Sequence, residues 1–134
     1  MIQLDWDDDQ KTVICYTFLH PWTWEEYHAT NAQRDEMFSI TDQIIDIILD
    51  FTRGSHIPDE AIKHFPKVAS WDNPKRGVVI VISANRMLQT LANIMISVYP
   101  QAATKVPRLA KDLEDARRII AEIRRKRDKD RSTL

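Results

Sequence analysis

LDFTRGSHIPDEAIKHF, residues 49–65, decides how the chain is read. An apolar run ends in an acid, a loop of Thr, Arg, Gly, Ser and His follows, and helical spacing then begins at Ile62 and Phe65. Upstream, residues 44–51 are nearly all apolar, broken by Asp46 and Asp50, which is the pattern of a strand buried on both faces. A buried strand running straight into a loop and a helix is the unit of a parallel α/β sheet. Pro58 suits a first helical turn, and Pro66 should kink or interrupt the helix.

The flanking segments extend this unit in both directions. Ile2–Trp6 alternates apolar and polar residues, residues 7–10 form a turn, and residues 12–18 are β-prone, so the N-terminus reads as a hairpin. Thr23 and Glu26 have capping-box spacing, and a helix is expected over 24–38. Residues 77–83 form the clearest strand, with VVIVI β-branched throughout. Residues 85–99 make an amphipathic helix stopped by Pro100. A short edge strand is expected over 104–109, demoted by Pro107. A last helix follows Asp112, with Ile123 its final apolar position. The predicted fold is α/β: a mixed sheet of about five strands, an N-terminal hairpin followed by alternating α/β units, covered by four helices. Residues 1–125 are expected to form one domain and residues 126–134 a basic, frayed tail.

Composition narrows the function. The chain has 134 residues, 43% hydrophobic and 29% charged, ordinary values for a globular protein. No basic-then-apolar leader and no apolar run of membrane-spanning length occurs, so a cytoplasmic location is expected. The single cysteine, Cys15, lies in VICYTF and reads as a buried strand thiol. The net charge of −1 hides an asymmetry: residues 1–50 carry eleven acids against Lys11 and Arg34, and the chain ends in RRKRDKDR. Asp128 and Asp130 interrupt that run, so a solvated helix end is favoured over a nucleic-acid contact.

Catalytic signatures are missing. Gly54 and Gly77 are the only glycines, too few for a phosphate-cradling or dinucleotide-binding loop. His20, His28, His56 and His64 show no metal-ligand spacing, so neither a metal nor another cofactor is expected. One constellation stands out. In open α/β sheets, ligands sit beyond the carboxyl ends of the parallel strands. That rim would gather Trp22 and Trp24, with His20, after the second strand; Thr52, Arg53, Ser55, His56 and Asp59 after the third; and Ser83, Asn85 and Arg86 after the fourth. The arginines and helix starts could hold an anion, and the tryptophans an apolar wall or a protein contact. Equally, the tryptophans could pack into the core and the polar groups cap helices. Excess apolar positions over 87–99 leave room for a homodimer contact or a lipid-facing groove.

The element order, and IIDIILDF, RGVVIVIS, NRMLQTLANIMISVYP and LAKDLEDARRII, resemble the STAS superfamily: anti-sigma-factor antagonists and the cytoplasmic domains of sulfate transporters. The likeness spans nearly the whole chain and is closest to the uncharacterised bacterial branch. It implies a non-enzymatic, regulatory or protein-interaction module with a protein partner; the alternative is a small-ligand or lipid-binding domain. In the regulators a strand ends Asp-Leu-Ser, and Asp-Ser-Ser/Thr-Gly opens the next helix, its first Ser phosphorylated. Here the strand end is Asp50-Phe51-Thr52, and Asp59 stands where that Ser would be, with Glu60 and Ala61 after it. The resemblance therefore carries over the corner but not the phosphorylated hydroxyl.

Overall fold

The computed structural model describes residues 1–83, 85–98 and 107–132, with the backbone alone for residues 62, 65, 66, 69, 70, 91, 92, 95–98, 131 and 132. Strands β1 (Ile2–Trp6), β2 (Val13–Phe18), β3 (Ile45–Asp50), β4 (Arg76–Ile82) and β5 (Arg108–Ala110) form one sheet in the order β1-β2-β3-β4-β5. The β1–β2 pair is antiparallel and the other pairs are parallel. The helical segments are α1 (Trp24–Ala29), α2 (Asn31–Ser39), α3 (Ala61–Ser70), α4 (Arg86–Val98) and α5 (Leu113–Ser132). The mixed α/β sheet expected from the alternation is therefore present.

The hairpin turn is built on Asp8. Its carboxylate accepts the Thr12 and Val13 N–H groups at 2.9 Å each, and the Thr12 hydroxyl as well. Burial works to raise the Asp8 pKa, but these hydrogen bonds win and hold it below the ordinary range. Every later crossover steps in the same direction along the sheet. Right-handed connections then place α1 to α4 on one face. Their Trp24, Tyr27, Phe38, Val68 and Leu88 pack with Ile14, Tyr16, Ile47, Leu49 and Val81. The opposite face, with Ile48, Val78, Ile80 and Ile82, receives Ala116 and Ile120 of α5.

Local boundaries depart from the sequence reading in four places. The helix expected over 24–38 is two consecutive pieces, because Thr30 turns back on Tyr27: its N–H and its hydroxyl both donate to the Tyr27 carbonyl, at 3.0 and 2.6 Å. Helix α3 begins at Ala61, three residues after Pro58, with Glu60 in the left-handed region at φ 69°. It runs unbroken through Pro66, where the missing N–H forfeits one backbone bond of the ten-residue helix. The last strand, expected over 104–109, is described as Arg108–Ala110; residues 104–106, and the Pro100 stop, lie outside the described residues.

The expected frayed tail is the fourth correction. Helix α5 continues to Ser132, and Arg127 reaches the sheet. Asp46, fully buried in β3, accepts from Arg124 Nε at 3.0 Å, from both terminal nitrogens of Arg127, and from the Val78 N–H at 2.8 Å. Arg124 also donates to the Thr12 carbonyl at 2.9 Å. Gly77 makes the room: a Cβ there would collide with the Asp46 carboxylate and lie 2.6 Å from Arg127 Nη2. The polar anchor, invisible to apolar periodicity, extends the ordered helix past Ile123.

Candidate functional site

The rim at the carboxyl ends of β2, β3 and β4 is a real assembly. Its centre is the loop that follows β3. The Arg53 carbonyl accepts the His20 N–H at 3.2 Å. The Gly54 carbonyl accepts Trp22 Nε1 at 3.2 Å, and the Pro58 carbonyl accepts Trp24 Nε1 at 3.2 Å. From the other side Asn85 Nδ2 donates to the Ser55 carbonyl at 2.7 Å. Four backbone acceptors of one loop are thus fixed by neighbours from the β2–α1 and β4–α4 connections. Gly54 lies against the end of β2, where a Cβ would stand 2.7 Å from the Phe18 carbonyl oxygen.

The sequence candidates divide into braces and displayed groups. Trp22 and Trp24 are buried, at 4% and 7% exposure, and meet edge-to-face at 5.0 Å. They are not an open apolar wall; their indoles hold the loop from beneath. Ser83 is also buried, its hydroxyl accepting the Asn85 N–H at 2.9 Å. The Asn85 side-chain Oδ1 accepts the Leu88 N–H at 3.2 Å and so caps α4. Outward from this frame stand Thr52, Arg53, Ser55, His56, Asp59 and Arg86, all exposed. Thr52 is turned by Asp50, whose Oδ1 accepts its N–H at 3.0 Å and its hydroxyl at 2.7 Å. His20 and His56 rings meet edge-on at 5.5 Å. Asp59 precedes the start of α3 by two residues, with Glu60 as the cap position.

Sequence reasoning passed over a second cluster below this rim. His28 Nε2 and His64 Nδ1 share a hydrogen bond of 2.9 Å between α1 and α3. His64 stacks on Trp24 at 5.0 Å and 9°, and its other nitrogen is 3.8 Å from Glu60. Desolvation, then the neighbouring His64 and Lys67 charges, hold the His28 pKa below its ordinary value. Neither residue falls on an apolar stripe or a ligand spacing, so no sequence signal marked the pair. Among the described residues no group of three or more His, Cys, Asp or Glu side chains is placed to hold a metal.

Cys15 is half-buried on β2, and burial pushes its thiol up to about 11, so it is protonated at neutral pH. On α4, Met87 and Ile94 are exposed at 46% and 51%. The other apolar side chains invoked for a dimer or lipid groove there, apart from buried Leu88, lie outside those described. No helix of the described residues is long and apolar enough to cross a membrane. Comparison with family models, with curated proteins and with solved structures finds no match to this chain.

Proposed function

We propose that the chain is a non-enzymatic, STAS-like interaction module that meets a protein partner through the rim. The observation that carries this reading is the division of labour in the 52–59 loop. Its carbonyls at Arg53, Gly54, Ser55 and Pro58 are taken by internal donors, while the side chains of Thr52, Arg53, Ser55, His56 and Asp59 face solvent. A loop whose backbone is satisfied internally displays its side chains in a fixed arrangement. Ordering such a surface on binding therefore costs little entropy. Arg53 and Arg86 supply planar forks suited to the carboxylates of an acidic partner. Asp59, where the related regulators carry a phosphorylated Ser, gives the surface a permanent negative charge.

The test is site-specific photocrosslinking. A photoreactive residue at Ser55 should capture a defined protein in its native cells, identified by mass spectrometry; one at exposed Arg125 on α5 should not capture it. With that partner purified, Arg53→Ala together with Arg86→Ala should weaken binding at least tenfold by calorimetry. The melting temperature should stay within about 2 °C of wild type, as for ordinary surface substitutions. Equal capture from both positions, or unchanged affinity, would remove the rim as the contact surface. The alternative, a small-ligand or lipid-binding domain, is separated by native mass spectrometry, where a co-purifying adduct on the chain would favour it.

A further inference from the structure

The edges of the sheet are β1 and β5. In an antiparallel pair, successive residues turn their backbone polar groups alternately towards the neighbouring strand and away from it. The Leu19 N–H donates to the Met1 carbonyl and the Asp7 N–H to the Val13 carbonyl, both at 2.7 Å, so the odd-numbered residues of β1 face β2. The N–H and C=O groups of Ile2, Leu4 and Trp6 therefore point to the free edge. Natural sheets blunt such an edge with proline, lysine or a bulge. Strand β1 reads IQLDW in unbroken register with β2 and carries none of these.

Helix side chains hold part of this edge, and their chemistry imitates a strand. Glu26 Oε2, from α1, accepts the Ile2 N–H at 2.8 Å, where the carbonyl of a neighbouring strand would accept it. Gln33 Nε2, from α2, donates to the Leu4 carbonyl at 3.1 Å, where a neighbouring N–H would donate. Glu26 is half-buried and Gln33 exposed, so each can return to water when a backbone takes its place. Among the described residues, the Ile2 carbonyl, the Leu4 N–H and both backbone groups of Trp6 have no protein partner.

The two faces of β1 specify what would lie beside it. On the helical face Leu4 is buried in the core, and Ile2 and Trp6 pack against that core while only partly covered. Apolar side chains on an added strand would extend it. On the opposite face Gln3 and Asp5 are exposed, and Asp9 is exposed in the turn beyond. Asp7 is paired with Arg117, but among the described residues Asp5 has no ion-pair partner. Opposite charges on neighbouring strands attract and like charges repel. A second copy of the chain would bring another Asp5 to this face, whereas a basic strand complements it. We infer that β1 is a docking edge for an extended segment of a partner protein, in which lysines or arginines alternate with apolar residues, added as a further strand of the sheet. The inference does not rest on the rim, whose arginines lie outside this edge.

The experiment uses the whole chain and a labelled synthetic peptide alternating lysine and valine, with two controls: an alternating glutamate–valine peptide and the lysine peptide broken by a central proline. Fluorescence anisotropy should give the lysine peptide a dissociation constant below about 1 mM and neither control measurable binding. Amide hydrogen exchange followed by NMR should slow at Leu4 and Trp6 when the peptide is bound. Asp5→Lys, an exposed change, should weaken binding by about fivefold, the scale of a reversed cross-strand charge pair. Gln33→Ala frees the Leu4 carbonyl without altering charge and should tighten binding about two- to threefold. Arg53→Ala with Arg86→Ala should leave it unchanged, so the edge and the rim stand or fall separately. No binding of the lysine peptide, equal binding of its proline-broken form, or binding that leaves the Leu4 and Trp6 amides unprotected would overturn the inference. A dimer in sedimentation that protects these amides without peptide would overturn it in favour of a second copy.

Discussion

Replacing Arg124 and Arg127 together by Leu should strip the buried Asp46 carboxylate of both guanidiniums. Asp46 is fully buried, and the Val78 N–H would remain as its one strong donor. Breaking a buried ion pair by removing one side costs about 3–5 kcal/mol, because the remaining charge is left uncompensated. For a domain of this size each kcal/mol corresponds to roughly 3–5 °C of melting temperature, so the double variant should melt some 10–20 °C below wild type. Asp46→Asn should cost less, about 1–2 kcal/mol, since Arg124 and Arg127 are 34% and 24% exposed and can turn to water. Deleting residues 126–134 removes Arg127 but leaves Arg124, and should fall between the two. The triple variant Asp46→Leu, Arg124→Leu, Arg127→Leu should recover most of the loss, because no charge remains buried. Urea titration and thermal melting on the same four proteins measure the order. A double-variant loss under about 1 kcal/mol would refute the claim that this cluster docks the end of α5.

Gly54→Ala should destabilise by about 1–3 kcal/mol, because its Cβ meets backbone of β2 that cannot yield; tryptophan fluorescence should change as the Trp22–Gly54 bond breaks. A neutral result would show the loop to be loosely seated. The His28 pKa is lowered on folding, so the native state takes up fewer protons than the unfolded chain. Its contribution is therefore intact above about pH 6.5 and is lost as pH falls below that value. Melting measured between pH 7.5 and 5.5 should fall less steeply for His28→Gln than for wild type, and equal slopes would contradict the assignment.

Much of the architecture was legible because it is written in apolar periodicity. The run at 44–51 and the VVIVI strand announced parallel pairing, and the alternation of elements set the layers. What periodicity does not record is polar attachment. Asp46 interrupted a strand and the arginines of RRKR formed a charge run, each unremarkable alone; their meeting depends on β3 and α5 being brought together in space. The same holds at the rim. The residues were identified by following strand ends, yet the roles of Trp22 and Trp24 as braces could not be separated from an exposed apolar wall until their indole partners were known. Arg34 and Arg76 escaped notice because arginines are normally outside, and only the packed helices enclose them.

The order of strands in the sheet repeats the order of strands in the chain. Each strand after the first is laid on a free edge, and none has to be inserted between two already joined. Every addition closes only one crossover, so the entropy of bringing distant segments together is kept small at each step. A chain emerging from the ribosome can therefore build its sheet by accretion, in the direction of synthesis. The Asp46 cluster is the exception: its partners are 78 and 81 residues away. The carboxylate waits in water on an unfinished face until the last helix arrives, and its burial marks the moment at which the molecule is complete.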